Sequence, residues 1–214
     1  MPRHVDHAAR RRHVAVTAAE LVGTHGLDAL TFRNVADAAG CSTTVVTHYF
    51  TDKRDLLLST FREVADRLGA RFDEAQRKGG GLRGCLEALL PIDAGRRTEW
   101  RLLTCFWGVA ISDPEFAAED AGHVRSAQAR IMALLRHDHP DVVDAELDGV
   151  ARRLVTIVHG LGAQSALDPD HWSPAQQRRM IVHELNCLGL PSRVSAAETA
   201  ATATVSAAET GGRP

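Results

Sequence analysis

Apolar residues recur at intervals of three and four along almost the whole chain, the period of an α-helix, and the strict alternation of a strand is nearly absent. Val14, Ala18, Leu21 and Val22 form one stripe, which ends at His25-Gly26 with Gly26 as a C-terminal cap. Phe32, Val35, Ala36 and Ala39 form a second, opened by Thr31 and stopped by Gly40, and a third short helix starts after Ser42. Asp52 is an N-cap for a long stripe of Leu57, Phe61, Val64, Leu68 and Phe72. That helix should reach Gly79-Gly80-Gly81, about 26 residues and ~39 Å at 1.5 Å per residue.

Beyond the glycines the pattern stays helical. Leu82 to Leu90 gives a short element closed by Pro91, and Trp100, Leu103, Phe106, Trp107 and Ile111 mark the next. Asp113 and Pro114 read as cap and first residue of a helix to about Arg136, in which Gly122 is a weak point. A further helix covers about Val142 to Leu167, and the last opens at Ser173-Pro174 with capping-box spacing to Gln176 and ends near Gly189. Nine helices and no sheet are predicted, an all-α fold. From Arg193 the chain is low in complexity, with SAAET occurring twice, and too little apolar area to offset the entropy of ordering. A solvated tail over 192–214 is expected.

Composition narrows the class. With 214 residues, 44% hydrophobic and 24% charged, the chain is neither wholly disordered nor unusually polar. The net charge of −2 means that any nucleic-acid contact must come from a local basic patch. One candidate is an N-terminal arm in which Arg3, Arg10, Arg11 and Arg12 face a single Asp6; a solvated arm is the alternative. His4 and His7 fall in the same arm. Cys41, Cys85, Cys105 and Cys187 are scattered without a CxxC pair, so reduced thiols are expected. The opening MPRHVDHAARRRHV has no apolar signal core, and no apolar run nears the ~20 residues of a membrane span. A cytoplasmic protein with no membrane contact is expected.

Residues 31–53, TFRNVADAAGCSTTVVTHYFTDK, have the spacing of a helix-turn-helix. Ala36 is the small residue where two helices cross, Gly40 supplies a positive φ in the turn, and Val46 packs the second helix on the first. Ser42 then caps the second helix and leaves Thr43 and Thr44 in its first turn, where side chains enter a major groove. A bland helical hairpin is the competing reading. Thr43 and Thr44 can offer a hydroxyl to a base edge or a methyl to thymine, and Val45 only the latter. His48 and Tyr49 lie further along, Lys53 opens the long helix, and Thr31 and Arg33 open the preceding one, all suited to phosphate. Val46 and Phe50 read as core.

On these residues the segment resembles the DNA-binding domain of the TetR family, with its pattern T-x-R-x-[IV]-A-x-x-A-G-V-S followed by Y-x-[HY]-F-x-x-K-x-x-L. Thr31, Arg33, Val35, Ala36, Ala39, Gly40, Ser42, Tyr49, Phe50, Lys53 and Leu56 match, and Cys41 replaces the usual valine. Thr47 stands where many members carry a tyrosine that touches phosphate. VVTHYFTDK, EWRLLTCFWGVAISDPEF and HGLGAQSALDPDHWSP are similar to the choline- and betaine-responsive repressors of that family. The resemblance implies a helix-turn-helix domain over 1–56 and a ligand-binding and dimerisation domain over 57–191. It implies a repressor that binds a palindromic operator in double-stranded DNA as a homodimer and is released by a small-molecule effector.

The second domain is less explicit. Phe61, Trp100, Phe106, Trp107, His159 and Trp172 are the candidate pocket residues, whose aromatic faces would suit a cation. Core packing is the alternative for Trp100 and Phe106, and helix-interface packing for His159. Val150, Leu154, Val158 and Leu161, with Ile181, Leu185 and Leu188, are expected to form the dimer face. Gly160 and Gly162 would permit close approach there; closure of the monomer core is the alternative. No HExxH, GxSxG or phosphate-cradling loop occurs, so no catalytic residue, metal or cofactor is expected. Two other functions remain open: a regulator that takes no ligand and works through a protein partner, marked by a solid second domain, and a small all-α enzyme.

Overall fold

The computed structural model describes residues 7–188; the expected tail over 192–214, the helix end at Gly189, and Arg3, His4 and Asp6 of the arm lie outside the described residues. Among the described residues there are nine α-helices, one 3-10 turn and no strand. The helices are α1 His7–His25, α2 Phe32–Ala38, α3 Thr43–Tyr49, α4 Lys53–Arg77, α5 Gly81–Glu87, α6 Ala94–Ala110, α7 Pro114–Asp138, α8 Asp144–Leu167 and α9 Pro174–Cys187.

Side chains fix most helix starts by taking backbone N–H groups that have no partner in the first turn. Thr31 accepts from the N–H of Asn34 at 3.1 Å, Asp52 from Asp55 at 2.8 Å and Asp93 from Arg96 at 2.9 Å. Asp113 accepts from Glu115 and Phe116, and Ser173 and Gln176 form a reciprocal capping box. The Asp93 cap starts α6 at Ala94, well before Trp100. Ser42 occupies the cap position of α3 without a side-chain hydrogen bond, and α7 runs unbroken through Gly122.

The N-terminal arm is a correction. Arg10, Arg11 and Arg12 lie inside α1, and two of them are held by α4. Arg11 pairs with Asp55 at 3.2 Å and donates to Ser59 at 2.6 Å, while Arg12 pairs with Glu63 at 2.9 Å. These partners lie more than 40 residues away in sequence, so the local charge pattern could not reveal them.

α1 packs on α4 and α6, α8 on α6 and α7, and α9 on α5. At the α1–α6 crossing a Cβ on Gly23 would stand 2.2 Å from the carbonyl oxygen of Thr98, so only glycine permits the approach. The indole of Trp100, fully buried, lies on Gly162 of α8 and donates its Nε1–H to the carbonyl of Leu89 at 2.8 Å. A Cβ on Gly162 would sit 2.5 Å from that ring.

The apolar stripes of α8 and α9 face this interior. Leu154, Val158, Leu161, Ile181 and Leu185 are buried within a single copy of the chain, and Val150 and Leu188 pack half-buried against the same core. The periodicity located the apolar face of each helix, but its neighbours are α5, α6 and α7 of the same chain. Gly162 likewise approaches Trp100, not a second copy. The outward side of α8 carries Gly149, Arg153, Thr156, Gly160, Gln164 and Leu167, with Leu167 67% exposed.

Two glycine substitutions should therefore differ in sign. Gly162→Ala drives a methyl into the Trp100 ring and should destabilise by roughly 1–3 kcal/mol, the range for overpacking. Gly108→Ala, on α6 with no neighbour within 4 Å of its Cβ, should stabilise by up to about 1 kcal/mol through helix propensity. Urea denaturation of the two variants beside the parent checks both, and equal midpoints would refute the packing account.

Candidate DNA-reading face and effector cavity

α2 and α3 are joined through Gly40 at φ +62°, a left-handed value that favours glycine, and Cys41 N–H bonds the carbonyl of Ala36 at 3.0 Å. Val46 and Phe50 are buried beneath the pair. Thr31, Arg33, Ser42, Thr43, Thr44, Thr47, His48 and Lys53 are exposed, and Val45 and Tyr49 are half-buried. Thr43, Thr44 and Thr47 share the open side of α3. The Thr47 hydroxyl turns back on the Thr44 carbonyl at 3.1 Å, which leaves its methyl outward.

The C-terminal end of α3 is fastened to the rest of the domain. Arg11 lies over the Phe50 ring at 4.9 Å and donates Nε–H to the carbonyl of Tyr49 at 3.5 Å. Tyr49 is more than a packing residue, since its hydroxyl meets Nδ1 of His7 at 3.1 Å and its ring meets His48 edge-on at 5.0 Å. His7, assigned from sequence to a solvated arm, thus joins the recognition helix. Nothing local to MPRHVDHAARRRHV indicates that contact.

Behind this domain, α4 and α7 run side by side in the same direction, held along their outer edge by charge. Arg54 pairs with Asp113 and Glu115 and lies over the Phe116 ring at 4.7 Å. Arg62 pairs with Glu119 at 2.6 Å, and Arg130 with Asp73 at 3.2 Å. These bonds hold the Asp113 and Glu119 carboxyls below their usual range.

Inside that edge lies a cavity of about 80 Å³ between α4, α6, α7 and α8. Of the sequence candidates, Phe61, Trp107 and His159 line it. Three do not. Trp100 stands behind Trp107, centroids 6.3 Å apart, anchored on Gly162 and Leu89. Phe106 stacks against the back of Phe61, centroids 3.8 Å apart and 12° from coplanar. Trp172 packs in the α8–α9 loop against His171, and its carbonyl accepts from Gln177.

The wall also contains residues the sequence reading passed over: Asp120, His123 and Arg130 of α7. Phe116, Val124, Ala127 and Ile131 form an apolar stripe at helical spacing, and polar residues inside that stripe were the available signal. Asp120 Oδ1 accepts the indole N–H of Trp107 at 2.9 Å. The His159 ring lies 5.5 Å from Trp107, and burial pushes its imidazole below the ordinary value against the opposing pull of Asp120. His159 is thus neutral at pH 7, which leaves the Asp120 carboxylate as the charge at this end. His123 bonds Glu119 at 3.2 Å and meets Phe61 edge-on at 5.0 Å. A carboxylate framed by aromatic rings suits a cation.

No cysteine is in a disulfide, and burial pushes the Cys85 thiol up to about 11, which makes it a poor nucleophile. Among the described residues no helix is long and apolar enough to cross a membrane.

Comparison with known proteins gives one consistent result. Residues 16–60 match the family described as bacterial regulatory proteins, tetR family, and residues 79–188 match the BetI-type transcriptional repressor C-terminal family. The HTH-type transcriptional regulator PksA of Bacillus subtilis is 26% identical over 88% of this chain and 94% of its own length. A BetI of Escherichia coli is 34% identical over 32% of this chain and 35% of its own length. A transcriptional regulator from Rhodococcus superposes with TM-score 0.74 at 23% identity, covering 83% of this chain and 95% of its own. A regulator from Saccharomonospora viridis, solved in complex with choline, gives TM-score 0.72 at 21% identity, covering 84% and 96%. The chain is a DNA-binding regulator, not an enzyme, and belongs to the TetR family of bacterial transcriptional regulators with a BetI-type repressor C-terminal domain.

Proposed function

We propose that the protein is a cytoplasmic homodimeric repressor, released from a palindromic operator when a small cationic molecule enters the cavity beside α4. The observation that carries this reading is the Asp120 carboxylate held against Trp107 and His159 at the cavity wall. The choline bound by the Saccharomonospora regulator is a cation of that class. A regulator that takes no ligand would need no such space.

In this reading Thr43, Thr44 and Val45 meet base edges, while Thr31, Arg33, Ser42, Thr47, His48, Tyr49 and Lys53 serve phosphate or the rim of the groove. An effector pressing on α7 moves the Asp113–Glu119 edge, and Arg54 and Arg62 pass that movement to the operator end of α4. The operator-binding arrangement is then disfavoured by the effector's unequal affinity for the two states. Two recognition helices must reach successive major grooves about 34–36 Å apart, which requires two copies. With the apolar faces of α8 and α9 turned inward, the outward side of α8 is the surface available, and Gly149, Thr156 and Gly160 let a second backbone approach.

On DNA, Lys53→Ala should weaken binding to every sequence and flatten the salt dependence by about 0.9 log units per log unit of salt. Thr44→Ala should instead relax base preference at one position, by roughly 1–3 kcal/mol. Fluorescence anisotropy with operator and random duplexes separates the two, and equal losses on both duplexes for both variants would reverse the assignment.

For assembly, Gly160→Arg should place a charge at the two-fold contact, give monomers by light scattering and lose the palindrome. A Gly160→Arg protein that remains a dimer would move the interface elsewhere.

For the switch, choline or tetramethylammonium should weaken operator binding roughly 5–150-fold, and operator should weaken effector binding by the same factor. Asp120→Asn should raise the concentration needed for release by roughly 10- to 100-fold, the weight of one charge-assisted contact. Release at unchanged concentration in that variant, or no response to any small ammonium ion in the parent, would sink the cationic reading.

A further inference from the structure

The cavity between α4 and α7 is a slot. The two helices run in the same direction, and each lines it over three turns, from Phe61 to Phe72 and from Asp120 to Ile131, a rise of about 16 Å on either wall. Its polar groups are separated to the ends. Asp120, Trp107 and His159 stand at one end, next to Phe61 and His123. At the other, the Arg130 guanidinium lies across α4 at Gly69, where a Cβ would come within 2.9 Å of Nη2, and its Nε–H bonds Asp73 at 3.2 Å. Between the ends the walls are carbon: Ala65 and Leu68 from α4, Val124 and Ala127 from α7, Val155 from α8. A volume of about 80 Å³ drawn out over that length is a bore the width of one hydrocarbon chain. A compact cation such as choline would fill the Asp120 end and leave the apolar walls without a partner.

We propose that the effector is a linear amphiphilic cation, with an ammonium head at Asp120 and Trp107 and an unbranched alkyl chain lying along the slot towards Arg130. The proposal rests on the cationic reading of the same cavity and adds the chain. Ala65 and Ala127 are then the residues that keep the bore open, and Arg130 with Asp73 closes its far end.

The experiment is a calorimetric titration of the full-length protein with n-alkyltrimethylammonium ions from ethyl to decyl, beside the n-alcohols of equal length. Each methylene that enters the slot should tighten binding about three- to fourfold, up to a plateau where the chain meets Arg130. Branched isomers of equal carbon number should lose most of that gain, and Ala127→Leu should bring the plateau at a shorter chain. Ethyl and octyl ions binding equally well, or affinity falling with length, would overturn the proposal and leave the cationic reading intact. Alcohols that tighten with length while no ammonium ion binds would instead overturn the cationic reading itself.

Discussion

The stack of Phe61 on Phe106, continued to Phe116 at 5.0 Å, joins α4, α6 and α7 at one level, and the arrangement of both domains depends on it. On one side of the stack, Phe116 sits under Arg54, whose neighbour Lys53 is the first residue of α4. On the other, Phe61 forms the end wall of the cavity beside His123. Interiors packed in this way respond to an inserted group by shifting as units, because close-packed rings have little room to deform separately. A change of spacing between α4 and α7 is therefore felt at the operator end of α4 without any rearrangement inside α2 or α3.

Surface charge complements that interior contact. Isolated exposed ion pairs contribute little, yet Arg54–Asp113–Glu115 and Arg62–Glu119 form a row along one edge with the helix cap of α7 included in it. Asp113 caps α7 and accepts from Arg54 with the same carboxylate. The position of the helix start and its attachment to α4 are in consequence one constraint, not two.

How much of this was legible in the sequence follows the range of the forces involved. The helix-turn-helix depends on neighbours a few residues apart: Gly40 for a left-handed turn, Thr31 and Asp52 for caps, Val46 for the crossing. Each is visible in a short window. Trp100 and Trp107 illustrate the opposite case, since they lie seven residues apart on one face of α6 and sequence spacing cannot separate their roles. The separation comes from Gly162, whose missing side chain makes a recess for one ring only. The stripes on α8 and α9 were read correctly as apolar, but periodicity states which face is buried and not against what. Asp120 escaped notice because one carboxylate in a helical stripe looks like a surface residue until the Trp107 indole is placed against it.

Arg11 deserves a last consideration. One guanidinium gathers the carbonyl of Tyr49, the Asp55 carboxylate and the Ser59 hydroxyl, and covers the Phe50 ring. The recognition helix is thereby bolted to the start of α4 and cannot roll about its own axis when α4 tilts. The half-site alphabet is then the same in both states of the switch, and occupancy is decided by whether the two readers fall in step with the helical pitch of DNA. Operator half-sites could drift in sequence without retuning the effector response, whereas the inserted length between them could not.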